Sequence, residues 1–436
     1  MQQTIKIEPK GLKGQVAAPP SKSDSHRAIL CTGLSATETE IEHIVLSEDV
    51  KATMGALKTM GVAVEEKISE GQHVTLKIRN PWIKAYYTSG KRLDHGPLKI
   101  DCRESGSTAR FMMPLFHLSE APVTFYGAPA LSRRPYTPYY DLFKAQSETI
   151  KFTTDSGHLP LTVSGTLTAG VYPIVGNVSS QFISGLLMSL PLLDGDSEII
   201  VTPPLESKAY IDMTLSCLSA FHIKVETPDE LHYKIKGNQK YSGSHYLVEG
   251  DYSAAAFWLV AAALGNEVAV SGLSQTSKQA DQDILNFFEG AYRWKEDVVW
   301  VEANDANQCT FDVSQCPDLV PILAVYCALS KGTSRIVNAA RLRIKESDRL
   351  KAITTELNKM GADIEELEDA LIIHGVTAFK GAQVDAWNDH RIAMALAIAA
   401  TRANGPVVIK GAASVSKSYP DFWNDYIKLG GELSVQ

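Results

Sequence analysis

The chain has 436 residues, of which 44% are hydrophobic and 21% are charged, and its formal net charge is −8. This length is too great for one ordinary core, so we expect two or three domains. The negative charge argues against a nucleic-acid surface, which needs a basic face. No apolar run reaches the ~18 residues that a membrane span requires.

The six cysteines are scattered, without a CxxC pair or a Cys/His cluster. We therefore expect buried free thiols in a reducing, cytoplasmic compartment, and no structural metal site. The P-loop, the GxGxxG fingerprint and the HExxH motif are missing from the sequence, so nucleotide, dinucleotide and zinc-protease functions lack support.

A short polar cluster followed by an apolar helical run recurs six times, at intervals of about 70 residues. The clusters begin, in chain order, at Ser23, Glu104, Val178, Gly250, Pro317 and Asn388. A second helical pattern often follows and ends in Met-Gly or Leu-Gly before a strand-like run, with glycine as the expected residue after the last turn. Six α/β units of two helices and several strands would account for the chain. Capped helices of an α/β protein without a repeat are the alternative.

The first cluster joins a helix start to two cations. Ser23 or Ser25 is expected to cap the helix, with Lys22 just before it and Arg27 one turn further on. The positive end of a helix favours an anion, and the two cations would strengthen that preference. A capped helix with solvated basic side chains is the alternative.

The third cluster places Ser179, Ser180 and Gln181 at the start of an apolar helix. Two adjacent hydroxyls and the helix amides can surround a phosphate without adding charge. A double cap without a ligand is an equally simple interpretation.

Two clusters in the last third of the chain are rich in charge. Lys345 and Arg349 share a helix face beside Glu346, an arrangement that can bind an anion and move a proton. Asp389, His390 and Arg391 cap an apolar helix, where charge is unfavourable unless a ligand or partner compensates it. Salt-bridged or solvated helix faces are the alternative for both.

Taken in chain order, these clusters resemble the 5-enolpyruvylshikimate-3-phosphate synthase family, one of the enolpyruvyl transferases. The matching segments are residues 21–27, 105–110, 134–135, 179–182, 207–212, 246–251, 317–318, 343–349, 388–391 and 417–421. The resemblance therefore covers the whole chain.

The resemblance implies an α/β fold of two similar domains, each with three βαβαββ repeats around a pseudo-threefold axis, in an inside-out barrel. The first domain would span residues 21–248, and the second would combine residues 1–20 with 249–436. The chain would cross between them near Pro20 and Val248, and the active site would lie in the cleft between the domains.

The resemblance also implies the activity: the enolpyruvyl group of phosphoenolpyruvate passes to the 5-hydroxyl of shikimate 3-phosphate, and phosphate leaves. This step belongs to the shikimate pathway to chorismate and the aromatic amino acids, and glyphosate inhibits the family. A cytoplasmic monomer without metal or organic cofactor is expected.

The family pattern assigns residues to three roles. The catalytic residues would be Asp318, Glu346, Lys22 and His390. Shikimate 3-phosphate would be bound by Lys22, Ser23, Arg27, Ser179, Ser180, Gln181, Ser207, Tyr210, Asp318 and Lys345. Phosphoenolpyruvate would be bound by Lys22, Gly106, Arg134, Gln181, Arg349, Arg391 and Lys417.

One departure bears on the phosphoenolpyruvate pocket: Glu104 stands where the family often has Asn, which weakens the transfer of that position's role and could alter sensitivity to glyphosate. Arg341, where some members have Asn, is left out of the site.

A related enolpyruvyl transferase acts on UDP-N-acetylglucosamine, but it typically has Asn after the first lysine and a cysteine on a mobile loop. This chain has Ser23 after Lys22 and no cysteine between Cys102 and Cys217. A non-catalytic phosphate-binding protein with the same fold is the other alternative.

Overall fold

The structure is a computed structural model, and it describes residues 3–68, 73–146, 149–153, 157–304 and 308–436. Among the described helices, none has the length together with the apolar character that a bilayer crossing requires. The α-helices are α1 Lys22–Gly33, α2 Glu48–Thr59, α3 Ile83–Ser89, α4 Gly106–Met112, α5 Pro129–Ser132, α6 Thr137–Gln146, α7 Ser180–Ser189, α8 Lys208–Ala220, α9 Tyr252–Ala263, α10 Val320–Ala328, α11 Arg349–Lys359, α12 His390–Ala400 and α13 Phe422–Lys428.

The strands are short, mostly of four or five residues. They are β1 Thr4–Glu8, β2 Lys13–Ala17, β3 Thr39–Val45, β4 Ala63–Ile68, β5 His73–Arg79, β6 Leu98–Asp101, β7 Val123–Tyr126, β8 Lys151–Phe152, β9 Leu161–Ser164, β10 Val171–Val175, β11 Ser197–Thr202, β12 Val225–Glu226, β13 His232–Ile235, β14 His245–Leu247, β15 Glu267–Ser271, β16 Tyr292–Lys295, β17 Val298–Val301, β18 Thr310–Asp312, β19 Thr333–Val337, β20 Asp363–Glu366, β21 Leu371–His374, β22 Ala382–Asp385, β23 Val407–Lys410 and β24 Glu432–Val435.

Within the described ranges these strands form six sheets of four strands, and all six follow one pattern. A parallel pair stands at one edge, and two antiparallel neighbours complete the sheet. The orders are β14-β3-β5-β4, β6-β7-β9-β8, β10-β11-β13-β12, β2-β15-β17-β16, β18-β19-β21-β20 and β22-β23-β1-β24.

Three of the six sheets follow the βαβαββ repeat in chain order, and each of the other three completes it with one strand from a distant part of the chain, namely β14, β2 or β1. In one repeat the chain runs through β10, α7, β11, α8, β12 and β13 in turn. In the repeat that contains β15, short 3-10 segments, Ala280–Ile284 and Asn286–Phe288, occupy the place of the second α-helix. The predicted α/β fold of repeated units is confirmed.

The chain divides into two compact units, which we call the middle unit, Lys22–Val248, and the split unit, Met1–Ser21 with Glu249–Gln436. The division follows from two strands. β14, at the end of the middle unit, pairs in parallel with β3 and so supplies the first strand of the first repeat. β2, near the N-terminus, pairs in parallel with β15 and supplies the first strand of the fourth.

Glycine ends three of the helices as the sequence predicts. Gly61, Gly361 and Gly430 follow α2, α11 and α13, and their φ angles are 78°, 86° and 87°. A positive φ at this position turns the chain out of the helix, and glycine adopts it without a steric penalty. Each turn leads directly into a strand.

The core of the split unit contains the first helices of its three repeats, α9, α10 and α12. They contact one another pairwise and are almost entirely buried. A helix that is apolar on every side is stable only in such an interior. The polar residues at their starts are therefore held at the edge of the core, where the candidate site residues of this unit are found.

Candidate active site

In the middle unit, α1 begins at Lys22, so the predicted caps Ser23 and Ser25 are wrong, since both lie inside the helix. Pro20 pairs with Gly250 in an isolated bridge, and the helix begins as soon as the chain leaves that pairing. Lys22 Nζ lies 2.9 Å from Asp49 Oδ2, and both side chains are largely buried.

Arg27 links α1 to α8. Its side chain is 2% exposed, and its guanidinium donates to the carbonyl oxygens of Ser23 (2.6 Å) and Tyr210 (2.8 Å) and to Thr214 Oγ1 (2.8 Å). Burial lowers the pKa of Arg27 from its ordinary value. Arg27 therefore fixes the backbone at two other predicted shikimate 3-phosphate residues, Ser23 and Tyr210.

Ser179 caps α7, and its hydroxyl accepts from the amide of Gln181 at 3.3 Å. Ser180 is the first helical residue and is buried. The amide side chain of Gln181 joins this helix to α4, because it accepts from Arg110 Nη1 at 2.7 Å and donates to Ser107 Oγ at 2.8 Å.

Gly106 opens α4 between two guanidinium groups. A Cβ atom at this position would lie 2.9 Å from Nη1 of both Arg110 and Arg134. Arg110 also lies over the rings of Phe182 and Tyr136, at 5.1 and 5.6 Å from their centroids. Two cations so close together repel each other, which makes this position favourable for an anion.

Ser207 precedes α8 in the left-handed region, with φ of 55° and ψ of 42°, and it is buried. A residue other than glycine or asparagine rarely adopts this conformation, and such outliers concentrate at functional sites. The conformation is consistent with the predicted binding role of Ser207.

In the split unit, the predicted residues surround the guanidinium of Arg349, which is 1% exposed. It donates to Asp318 Oδ1 at 2.6 Å, to Glu346 Oε2 at 2.6 Å and to Asp389 Oδ2 at 2.8 Å. Burial alone would lower the pKa of Arg349, but these carboxylates raise it above its ordinary value. Arg349 thus fixes the spacing of the two predicted proton-transfer residues, Asp318 and Glu346.

Asp318 is surrounded by positive charge. Its carboxylate also lies 3.0 Å from Arg391 Nη2 and 3.6 Å from Lys345 Nζ. Burial would raise the pKa of Asp318, but Arg391, Lys345 and Arg349 together hold it well below its usual range. Burial also lowers the pKa of Lys345, which Asp318 partly offsets. Asp318 is therefore ionised at neutral pH.

The start of α12 completes this cluster. Asp389 caps the helix by accepting from the amide of Arg391 at 2.9 Å, and the buried His390 has Nδ1 3.9 Å from Asp389 Oδ1. Lys417 Nζ donates to the carbonyl oxygen of Asn388 at 2.6 Å. The last two predicted cations, Arg391 and Lys417, thus meet the segment that holds Asp389.

Comparison with known proteins bears on the whole chain. The family model described as EPSP synthase (3-phosphoshikimate 1-carboxyvinyltransferase) matches residues 7–426. The chain belongs to the EPSP synthase family. It is 46% identical over 436 residues to the 3-phosphoshikimate 1-carboxyvinyltransferase of Clostridium novyi and 47% identical over 433 residues to that of Clostridium acetobutylicum, with 98% of each chain covered.

Solved structures agree on the fold. An EPSP synthase structure from Acinetobacter baumannii superposes with a TM-score of 0.80, covers 100% of both chains and is 24% identical. Family membership decides between the two enolpyruvyl transferases left open by the sequence. The chain is an enolpyruvyl transferase whose substrates are phosphoenolpyruvate and shikimate 3-phosphate.

Four residues that contact or lie beside the predicted site residues are absent from the predicted site: Asp49, Arg110, Asp281 and Asp389. Arg110 and Asp389 lie inside segments that match the family, and their buried positions mark them out only in three dimensions. Asp281 accepts from Ser253 Oγ, and burial followed by the charge of Asp318 raises its pKa to about 7. Its sequence context, a polar stretch between β15 and β16, gives no signal of such burial.

Proposed function

We propose that the predicted site residues of the middle unit and those of the split unit serve one reaction, the transfer of the enolpyruvyl group of phosphoenolpyruvate to shikimate 3-phosphate. The observation that carries the proposal is the shared guanidinium of Arg349, which fixes Asp318 and Glu346 at 2.6 Å each. Two carboxylates at a set spacing, surrounded by cations, match a reaction that joins two anions and moves a proton twice.

Neutralising charge is the first requirement, because each substrate carries a carboxylate and a phosphate. We assign shikimate 3-phosphate to Lys22, Ser23, Arg27, Ser179, Ser180, Gln181, Ser207, Tyr210, Asp318 and Lys345. We assign phosphoenolpyruvate to Lys22, Gly106, Arg134, Gln181, Arg349, Arg391 and Lys417. Several cations together offset the like-charge repulsion between the two substrates.

Asp318 is the base that accepts the proton of the 5-hydroxyl as its oxygen bonds to carbon-2 of phosphoenolpyruvate. In the free protein three cations make it a weak base. Substrate anions that bind Arg391 and Lys345 offset those cations and so raise the proton affinity of Asp318. The base therefore strengthens when the substrates are in place.

Glu346, which this step requires to be protonated once the substrates are bound, gives its proton to carbon-3 in the same step, and a tetrahedral intermediate forms. Glu346 then takes a proton back from carbon-3 while the bond between carbon-2 and the phosphate oxygen breaks. Lys22 stabilises the charge on the departing phosphate, and His390, buried beside Asp389, is the fourth residue that we assign to catalysis. Asp318 passes the proton of the 5-hydroxyl to the departing phosphate, and carbon-3 returns its proton to Glu346, so both side chains regain their starting states.

The experiment that tests the proposal is phosphate release on mixing the two substrates with the purified chain. Release with shikimate 3-phosphate, and none with UDP-N-acetylglucosamine, is the expected result. The opposite pattern would overturn the substrate assignment, and release with neither would overturn catalysis.

Three accompanying expectations are a monomer, a cytoplasmic location and activity without a metal or organic cofactor. All six cysteines lie within the described ranges and are free thiols, which suits a reducing compartment. Size-exclusion chromatography measures the oligomeric state. Full activity after dialysis against EDTA is expected if no metal takes part.

A further inference from the structure

The two residues that precede Asp389 have a strained backbone. Trp387 and Asn388 both have φ of 53°, in the left-handed region, and neither is glycine. This region crowds the Cβ atom of an L-residue, and two such residues in succession persist only where surrounding contacts hold them. The segment therefore needs an identifiable support.

Glu356 supplies that support from α11. Its side chain is 1% exposed, and its two oxygens accept from different parts of the segment: Oε1 from the indole Nε1 of Trp387 at 2.7 Å, and Oε2 from the amide of Asp385 at 3.0 Å. Lys359 Nζ, on the half-exposed outer side, lies 2.9 and 2.8 Å from the two oxygens. The buried carboxylate therefore accepts two hydrogen bonds from the segment and two from Lys359.

The segment in turn fixes two groups of the candidate site. The carbonyl oxygen of Asn388 accepts from Lys417 at 2.6 Å, and Asp389, the next residue, accepts from Arg349 at 2.8 Å. A change in the backbone at Asn388 would move both acceptors. Lys417 and Arg349 would follow them.

We propose that Glu356 is a positioning residue for enolpyruvyl transfer, acting through residues 385–388 on Lys417 and Arg349. The inference rests on the proposed function, which assigns both cations to phosphoenolpyruvate. Glu356 keeps Trp387 and Asn388 in the left-handed region, and this course of the chain presents the Asn388 carbonyl and the Asp389 carboxylate to the two cations.

Three variants test this role. Glu356→Gln retains the size of the side chain, but an amide has one acceptor oxygen and cannot serve both Trp387 Nε1 and the Asp385 amide. Trp387→Phe removes the indole donor and keeps an aromatic ring. Lys359→Met is the matched control, because it removes the exposed partner and leaves both contacts with the segment.

We expect Glu356→Gln and Trp387→Phe each to raise the KM for phosphoenolpyruvate roughly tenfold, with a smaller change in kcat, since each removes a hydrogen bond to a charged group. The effect of the double variant should fall short of the sum of the two single effects, because the hydrogen bond between Trp387 and Glu356 is common to both. Lys359→Met should keep the wild-type KM for phosphoenolpyruvate, although losing the cation beside a buried carboxylate should lower its stability. The indole signal of Trp387 in a nitrogen–proton spectrum should shift in Glu356→Gln and stay in place in Lys359→Met.

Three results would overturn the positioning role in an active wild type. They are an unchanged KM with only a lower unfolding midpoint, additive effects in the double variant, and a Lys359→Met variant as impaired as Glu356→Gln. A wild-type chain that releases no phosphate would instead overturn the proposed function, and this inference with it. Measuring the wild type first therefore separates the two failures.

Discussion

Two buried arginines in each unit differ in the groups to which they donate. In the middle unit, Arg27 and Arg110 donate to neutral groups, namely carbonyls, a hydroxyl and the side-chain oxygen of Gln181. In the split unit, Arg349 and Arg391 donate to carboxylates. Neutral acceptors do not offset the positive charge of an arginine, so it can attract a bound anion. Carboxylates offset that charge, but they can also accept or donate a proton. In the proposed function, Arg27 accordingly serves anion binding, whereas the carboxylates on Arg349 serve proton transfer.

The largest effect is expected from Arg349→Met, which removes the shared partner of Asp318, Glu346 and Asp389. Leaving buried carboxylates without their partner costs about 3–5 kcal/mol of folding free energy. Activity should fall roughly 10⁴-fold or more, since both proton-transfer groups lose their position. Urea unfolding and phosphate release measure the two effects.

Arg343→Met is the matched control, because Arg343 lies six residues earlier and pairs with the partly exposed Asp348 and Glu366. We expect this variant to lower the free energy of unfolding by about 1 kcal/mol or less. Equal losses in the two variants would contradict the special place of Arg349 and weaken the contrast between the units.

Glu346→Gln tests the proton transfer that we propose for the split unit. The amide keeps the size of the side chain but cannot exchange the proton, so kcat should fall about 10²–10⁴-fold with little change in the KM for phosphoenolpyruvate. Steady-state kinetics with both substrates provide the measurement. Glu366→Gln, a carboxylate on Arg343, should be close to wild type. Normal turnover in Glu346→Gln would remove its proton-transfer role.

Asp281→Asn tests whether Asp281 makes the stability of the protein depend on pH. The pKa of Asp281 is raised from 3.8 to about 7 by burial and by the charge of Asp318, against the opposing effect of Arg391. The folded protein therefore binds this proton more tightly than the unfolded chain, so the stabilising contribution is full below pH 3.8 and is lost as pH rises towards 7. Between pH 5 and 8 the free energy of unfolding of the wild type should fall by roughly 2–3 kcal/mol relative to that of Asp281→Asn.

Unfolding midpoints in urea at pH 5, 6, 7 and 8 provide the measurement. Asp283→Asn, on the same 3-10 segment and only partly buried, should show a smaller pH dependence. A constant difference between wild type and Asp281→Asn at all four values would show that Asp281 does not titrate in this range.

Gly106→Ala probes anion capture in the middle unit and should have the smallest effect of the four. The added methyl group would lie 2.9 Å from Nη1 of Arg110 and Arg134, so both guanidiniums must shift. We expect the KM for phosphoenolpyruvate to rise roughly tenfold with stability nearly unchanged. Gly55→Ala, where a Cβ meets open space, is the control and should leave kinetics unchanged. A KM unaffected by Gly106→Ala would remove Gly106 from the site.

Much of the fold could be predicted from the sequence, because the signals are local. The serine and aspartate caps at Ser179 and Asp389, and the glycine after α11, act within one helical turn of themselves. The prediction failed at α1, where the bridge between Pro20 and Gly250 sets the helix start and the partner is far along the chain.

The candidate site could be predicted only as a set of residues, without their partners. The family pattern selects Arg349 and Asp318 but gives no sign that Asp389, 40 positions from Arg349, shares the same guanidinium. Glu356 is another case: in the sequence it is one of several charges on an amphipathic helix, and only packing makes it a buried support for Trp387.

The sequence by itself determined the repeat and the helix caps at Ser179 and Asp389, since these depend on neighbours a few positions away. The tertiary structure alone decided which charges meet which acceptors, that is, neutral groups around Arg27 and carboxylates around Arg349. The physical reason is that burial gives an electrostatic contact its strength, and burial is a property of packed elements that are distant in the chain.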